Sequence, residues 1–260
     1  MAVLDLKKTT AAAVSTAATA SIAAKVKEAV SGPTGRNVDT RDLSVSIHLP
    51  TLNEERYIDE ALNTLNRQSL VRNSDVKIVV LDSGSRDSTV EKAKEAADEV
   101  WSVPKGKLSA RHTGLLRSNA DIVVSVDADC RYPKGWLNEI LAPFTDPETV
   151  MTHGPKVQNA PGYREASILY NNFLKKRQVS ASNSALRRTA YLETKGFRRD
   201  INQLHRKRIW LEEEFEFPER MARIGKIRYA PNAVCYEETR NLPGTKDLKY
   251  IEQIKRGERF

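Results

Sequence analysis

The chain is predicted to be an α/β domain with a mainly parallel central sheet flanked by helices, from three observations. Apolar runs of strand length recur at Ser44 to Leu49, Lys77 to Leu81 and Asp121 to Val126. Amphipathic stretches separate them, as at residues 54–68, where Ile58, Ala61, Leu62 and Leu65 fall on one helical face. Turn-forming residues close the strands, Pro50 after the first and Asp82-Ser83-Gly84-Ser85 after the second.

The remaining elements follow in order. Ser88 with Glu91 predicts a capping box that opens a helix to about Asp98. Val100 to Val103 reads as a third strand and Leu108 to Asn119 as a helix. The fourth strand runs straight into Asp127. In the second half a helix is expected over 164–177, and the segment 180–188 and the pair Gly196-Phe197 follow it. The acidic run Glu212 to Glu219 comes next, then one or two strands over 227–236, and a basic helix over 247–255 with Leu248, Ile251 and Ile254 on one side.

Composition bounds the organisation. With 260 residues and 40% apolar content, one large domain over 41–240 has material for a core, divided into 41–130 and 131–240. The Ala, Thr and Ser run from Thr9 to Ala24, ending at Ser31-Gly32-Pro33, makes residues 1–40 an expected disordered or loosely helical tail. No stretch offers eighteen strongly apolar residues, and two widely separated cysteines, Cys130 and Cys235, read as buried or half-buried thiols of a reducing compartment. A cytoplasmic location is expected. Residues 151–260 carry 23 Lys and Arg against 13 Asp and Glu, so the basic excess belongs to the second half. That surface could meet an anionic membrane at its periphery, although scattered charge more often marks a solvated face.

Strand ends converge on one crevice in such a sheet, which brings together residues 50–54, 82–87 and 127–129. Asp127-Ala128-Asp129 places two carboxylates directly after a buried strand, where they repel unless cations or donors compensate. A divalent cation bridging to phosphate oxygens supplies that compensation; turn capping is the plainer alternative. No Walker or dinucleotide glycine loop is present, so phosphates would be met by metal and by Lys107 or Arg111.

The stretches VSIHLPTLNEERYIDEAL, IVVLDSGSRDSTVEKA and KLSARHTGLLRSNADIVVSVDADC resemble, in this order, the nucleotide-binding half of family 2 glycosyltransferases of the GT-A fold. Further on, LEEEFEFPERMARIGKIRYAP resembles the acidic motif of that family, with Glu213, Glu214, Glu216, Arg220 and Gly225 at its intervals. The resemblance implies a Rossmann-like donor half and a smaller acceptor half. It places Pro50, Thr51, Asn53 and Glu54 along the nucleoside, and makes Asp82, followed by Ser83 and Gly84, an acceptor for the base. It assigns Arg111 to base or phosphate, Asp127 with Ala128 to the ribose, and Asp129, with Asp127 beside it, to Mn²⁺ or Mg²⁺. Asn183 and Ser184 would border the acceptor. Glu214, or its neighbour Glu213, would take the acceptor proton, where the family usually has Asp.

The implied activity is metal-assisted transfer from a nucleotide-sugar, UDP-sugar favoured, to an acceptor hydroxyl with inversion. The acceptor would be a glycan, a lipid-linked or a small molecule, and no nucleic acid partner is expected. A retaining transferase of the glycosyl-glycerate type and a non-catalytic nucleotide or nucleic-acid binder are the alternatives. His48 departs from the aliphatic residue usual in the first strand, and reads as a core or edge histidine; the role of His112 stays open.

Overall fold

The structure, a computed structural model, describes residues 43–73, 76–159, 179, 181–198 and 212–238; within these the side chains of 72, 73, 212 and 214 are not described. The expected tail over 1–40 and the helices over 164–177 and 247–255 lie outside the described residues.

Four parallel strands form one side of the main sheet: β1 (Val45–Thr51), β2 (Val76–Asp82), β3 (Glu99–Ser102) and β4 (Ile122–Ser125). Between them run α1 (Ile58–Asn66), the short α2 (Ser69–Asn73), α3 (Thr89–Ala96) and α4 (Lys107–Arg117). The chain then forms β5 (Cys130–Arg131), α5 (Trp136–Leu141), β6 (Thr149–His153), β7 (Lys156–Gln158), β8 (Ser184–Arg187) and α6 (Arg188–Glu193). After a π-helical turn, Glu212–Glu216, come α7 (Phe217–Met221), β9 (Lys226–Tyr229) and β10 (Cys235–Glu237). The seven-stranded sheet has the order β3-β2-β1-β4-β8-β6-β9, with β8 antiparallel to both of its neighbours. A second sheet, β5-β10-β7, has no counterpart in the sequence-based expectation. Two residues of β5 and three of β10 are too short to leave a periodic signal.

Both faces of the parallel strands are covered. Ile78 and Val80 of β2 join a core with Ile47, Leu62, Val124 and Trp136, while Val79 and Leu81 face Ala110 of α4 on the other side. His48 points to that second face, and a Cβ on Gly114 of α4 would lie 2.8 Å from its Nδ1 and 2.6 Å from Leu81. The glycine is what lets α4 approach β1 and β2 this closely.

Two local expectations need correction. Pro50 does not stop β1, which continues to Thr51. The carbonyl of His48 accepts from Val126 on the β4 side, so the N–H that Pro50 lacks would point the same way. The missing amide ends the β1–β4 ladder at His48↔Ser125, while pairing with β2 runs on through Thr51↔Asp82. The capping box at Ser88 also fails: the Ser88 side chain makes no cap hydrogen bond. Asp87 accepts from the Thr89 amide at 3.1 Å and Glu55 from the Ser88 amide at 3.1 Å, so other carboxylates already serve the first turn of α3.

Candidate active site

Going outward from β1, the chain builds β2 and β3 on one side and then returns to place β4 on the other. The carboxyl ends of β1 and β4 therefore flank a topological switch point, where open α/β sheets bind ligands. Three loops leave from that edge.

The first two loops are laced together. Asn53 sits at φ 56, a left-handed conformation that Asn tolerates. Its amide donates to Ser85 Oγ at 2.9 Å, and its Oδ1 accepts from the Arg86 amide at 2.9 Å. The buried Glu54 donates its amide to Thr89 Oγ1 at 2.7 Å. Asp82 ends β2 beside Thr51, with Gly84 at φ +92 two residues on. The Asp82 carboxylate accepts from the Gly84 amide at 3.0 Å, the Ser85 amide at 3.1 Å and Ser85 Oγ at 2.5 Å. Pro50, Thr51, Asn53, Glu54, Asp82, Ser83 and Gly84 are thus gathered at one edge, but most of the hydrogen-bonding capacity of Asp82 already holds its own turn.

The third loop carries the two aspartates. Asp127 is buried, its side chain 10% exposed. Lys107 Nζ, at the first residue of α4, donates to its Oδ2 at 3.0 Å, and Arg111 Nη2 donates to its Oδ1 at 2.7 Å. Burial alone would raise the Asp127 pKa; Lys107, Arg111 and Lys156 outweigh it and bring it down to about 2. The carboxylate therefore remains charged in a half-closed crevice. Tyr132 fixes the loop from beneath, accepting from the Asp127 amide at 2.8 Å. Asp129 is half-buried, and its carbonyl accepts from the Glu238 amide at 2.7 Å.

Arg111 lies behind this edge rather than on it, 3% exposed. Its Nε donates to Ser125 Oγ at 3.0 Å and its Nη1 pairs with Glu213. The acidic turn is thereby brought to the donor side through Glu213. Glu214 is in the same turn, its side chain outside those described. Asn183 is fully buried and acts as a hub: its Nδ2 donates to the carbonyls of Pro155 at 2.9 Å and Ala233 at 2.7 Å, and its Oδ1 accepts from Trp136 Nε1 at 2.8 Å. Ser184 is buried next to it. His112 meets Tyr191 Oη at 2.7 Å on the far side of α4.

The sequence reading missed Lys156. Its Nζ donates to Glu237 Oε1 at 2.7 Å, and its charge acts on Asp127. Burial would lower its pKa, but the carboxylates of Glu237 and Asp127 reverse this and raise it. A lone lysine in a basic half carries no pattern that could have singled it out.

For a divalent cation the fit rests on few ligands. Among the described residues no group of three His, Cys, Asp or Glu is placed to hold a metal ion. Both oxygens of Asp127 are engaged by cations, which leaves Asp129 as the better-suited ligand of the pair. A hard cation held by one or two carboxylates and completed by substrate phosphates needs no larger protein cage.

A nucleotide-binding α/β fold with an acidic strand-end triplet at its switch point describes a large class of transferases. Residues 46–205, well over half of the chain, match the family described as Glycosyl transferase family 2, and the chain belongs to that family. The glycosyltransferase AglE of Haloferax volcanii is 27% identical over 151 residues, covering 54% of this chain and 49% of that protein. A mannosyltransferase of Pyrobaculum calidifontis, solved with GDP-Man and Mn²⁺, has a similar fold, with a TM-score of 0.59 at 21% identity over 85% of this chain and 66% of that one. Glucosyl-3-phosphoglycerate synthase of Mycobacterium tuberculosis, solved with Mn²⁺, UDP-Glc and phosphoglyceric acid, gives 0.58 at 22% identity, covering 85% and 82%. These likenesses extend the GT-A fold to the chain. The chain spans about half the length of the AglE relative.

Proposed function

We propose that the protein transfers a sugar from a nucleotide-sugar, a UDP-sugar in the first instance, to an acceptor hydroxyl with inversion at the anomeric carbon. The observation that carries this reading is Asp127-Ala128-Asp129 at the end of β4. One carboxylate is held charged by Lys107 and Arg111, and the next is half-buried at the crevice. Asp127 would meet the ribose, and Asp129 would hold Mn²⁺ or Mg²⁺ against the diphosphate. A divalent cation bound there supplies charge neutralisation of the departing diphosphate.

The chain's own groups do the rest. Thr51, Asn53 and Asp82, fixed in two mutually bonded loops, would seat the nucleoside. Lys107, 51% exposed although it touches Asp127, has room to turn toward phosphate. Glu214 would take the acceptor proton as the oxygen attacks, so the rate rests on positioning and on placed charge. The fully bonded amide of Asn183 would shape the acceptor wall through the backbone it ties.

Asp129→Ala is expected to abolish manganese-dependent UDP binding measured by calorimetry while the protein stays folded; unchanged binding removes the metal assignment. The segments NEE at 53–55 and DSGSRDST at 82–89, which also resemble those of transferases making glycosyl-glycerate compounds, favour a second reading, a retaining transferase. Proton NMR of the product decides, since an anomeric configuration matching the donor excludes inversion.

A further inference from the structure

The three nitrogens of the Arg111 guanidinium are each engaged by a protein group. Nε holds Ser125 Oγ on β4, Nη2 holds Asp127 Oδ1 just beyond that strand, and Nη1 holds Glu213 in the π-helical turn 102 positions later. The side chains of Arg111, Asp127 and Glu213 are 3%, 10% and 9% exposed, so solvent does little to screen the cluster. A planar, permanently charged fork can hold two carboxylates and a hydroxyl at once; an ammonium cannot keep that geometry.

The turn is built so that this pairing has a consequence. Its π-helical winding sets Glu213 inward, buried against Arg111, while Phe215 two residues on is exposed at the surface. Phe217, at the start of α7, is buried against Tyr191 and Phe197, which anchors the turn from its other end. Glu214 lies between these two fixed points. Its backbone is therefore placed by the Glu213 contact on one side and by the aromatic cluster on the other.

We propose that Arg111 is a positioning residue, not a ligand contact: it ties the acidic turn to the donor-side carboxylate, so that Glu214 is held in register with the nucleotide crevice through Glu213. This rests on the reading of Glu214 as proton acceptor. Arg111 acts through Asp127 and Glu213 and touches neither substrate. Breaking the tie frees the turn to shift, and a displacement of about 1 Å at a reacting group costs on the order of 100-fold in rate.

The test uses Arg111→Lys and Glu213→Gln in the full chain, with manganese–UDP binding and transfer kinetics measured on the same samples. Each variant is expected to bind one UDP per chain with affinity within about threefold of the parent, and to lose on the order of 100-fold in kcat with donor KM little changed. The binding stoichiometry counts folded sites, so a loss of folded protein cannot imitate this split. A variant with parental kcat overturns the proposal, and so does one that loses UDP affinity instead, because Arg111 would then be serving the donor. If Arg111→Lys does not fold, Glu213→Gln decides together with Glu214→Gln: a kcat loss in Glu213→Gln counts for positioning when Glu214→Gln is inactive, and overturns it when Glu214→Gln keeps full kcat, because Glu213 would then be the proton acceptor. Glu214→Gln separates the two levels: if it retains full kcat, the proton-acceptor reading fails. If it is inactive while the other two variants are normal, only the positioning role of Arg111 fails.

Discussion

His48 is buried in β1 with both ring nitrogens lacking a hydrogen-bond partner among the described residues, edge-on to Trp101 at 5.9 Å. Burial drives its pKa from 6.5 to about 4, so the folded chain keeps it neutral where the unfolded chain takes up a proton. The unfolded state thus binds the extra proton between pH 6.5 and 4, and stability falls as pH drops through that window by up to about 1.4 kcal/mol per pH unit. Asp127 acts lower: its depressed pKa gives stability that is present above the ordinary carboxylate range and is lost as pH falls toward 2. His48→Leu is therefore expected to lose less melting temperature than the parent between pH 7 and pH 5; parallel melting curves across that range contradict the assignment. The core placement of His48 was legible from its apolar flanks. The unpaired state of its ring was not, since that depends on Gly114 and Trp101, distant in sequence.

At the level of elements, the four parallel strands and the helices between them were legible because each carries its own periodicity. Their boundaries moved by a few residues where a neighbour decided the matter: Pro50 stays in β1 because pairing with β2 continues on its other side, and α3 is opened by Asp87 and Glu55 in place of Ser88. The placement of candidate site residues at one edge was legible where they follow a strand, as at Asp82, Asp127 and Asp129. It was illegible where the contacts join residues far apart, as in Arg111 with Glu213 and Lys156 with Glu237. Gly225 shows a motif position acquiring a physical reason only in three dimensions, since a Cβ there would lie 2.6 Å from the carbonyl of Glu148. Asn183 is the junction between α5, β8 and the approach to β10. Asn183→Leu would take the Asn183 partner from the Ala233 carbonyl and the Trp136 indole in a buried setting, while the Pro155 carbonyl keeps the Cys235 amide, a loss of more than about 2 kcal/mol. Denaturant unfolding measures it, and a change within about 0.5 kcal/mol would place the strength of this junction elsewhere.

Across the whole molecule, two sheets share the candidate site. The seven-stranded sheet supplies its floor, and the small sheet clamps the loop that carries Asp129: Tyr236 pairs with Arg131, Glu237 with Cys130, and Arg131 with Glu238. Cys130 and Cys235, far apart in sequence and read there as buried or half-buried thiols, are both buried and come together here, and the Cys235 thiol together with burial raises the Cys130 pKa. Tyr236→Pro places a residue without an amide proton in the middle strand of this sheet. It is expected to weaken manganese-dependent UDP binding at least tenfold while far-UV circular dichroism stays near the parent value. Unaltered binding would mean that the loop holds its shape unaided. Among the described residues no helix is long and apolar enough to cross a membrane.

The clamp also orders events in time. A ribosome releases Asp127 and Asp129 early, and the partner that fixes the following segment, Glu238, is 107 positions downstream of Arg131. Synthesis runs at about 5–20 residues per second, so the exposed triplet waits on the order of ten seconds before its brace is made. For that interval the nascent chain carries Asp82, Asp127 and Asp129 but neither the acidic turn at Glu213 nor the final strand, which postpones a completed site until the last described segment has emerged.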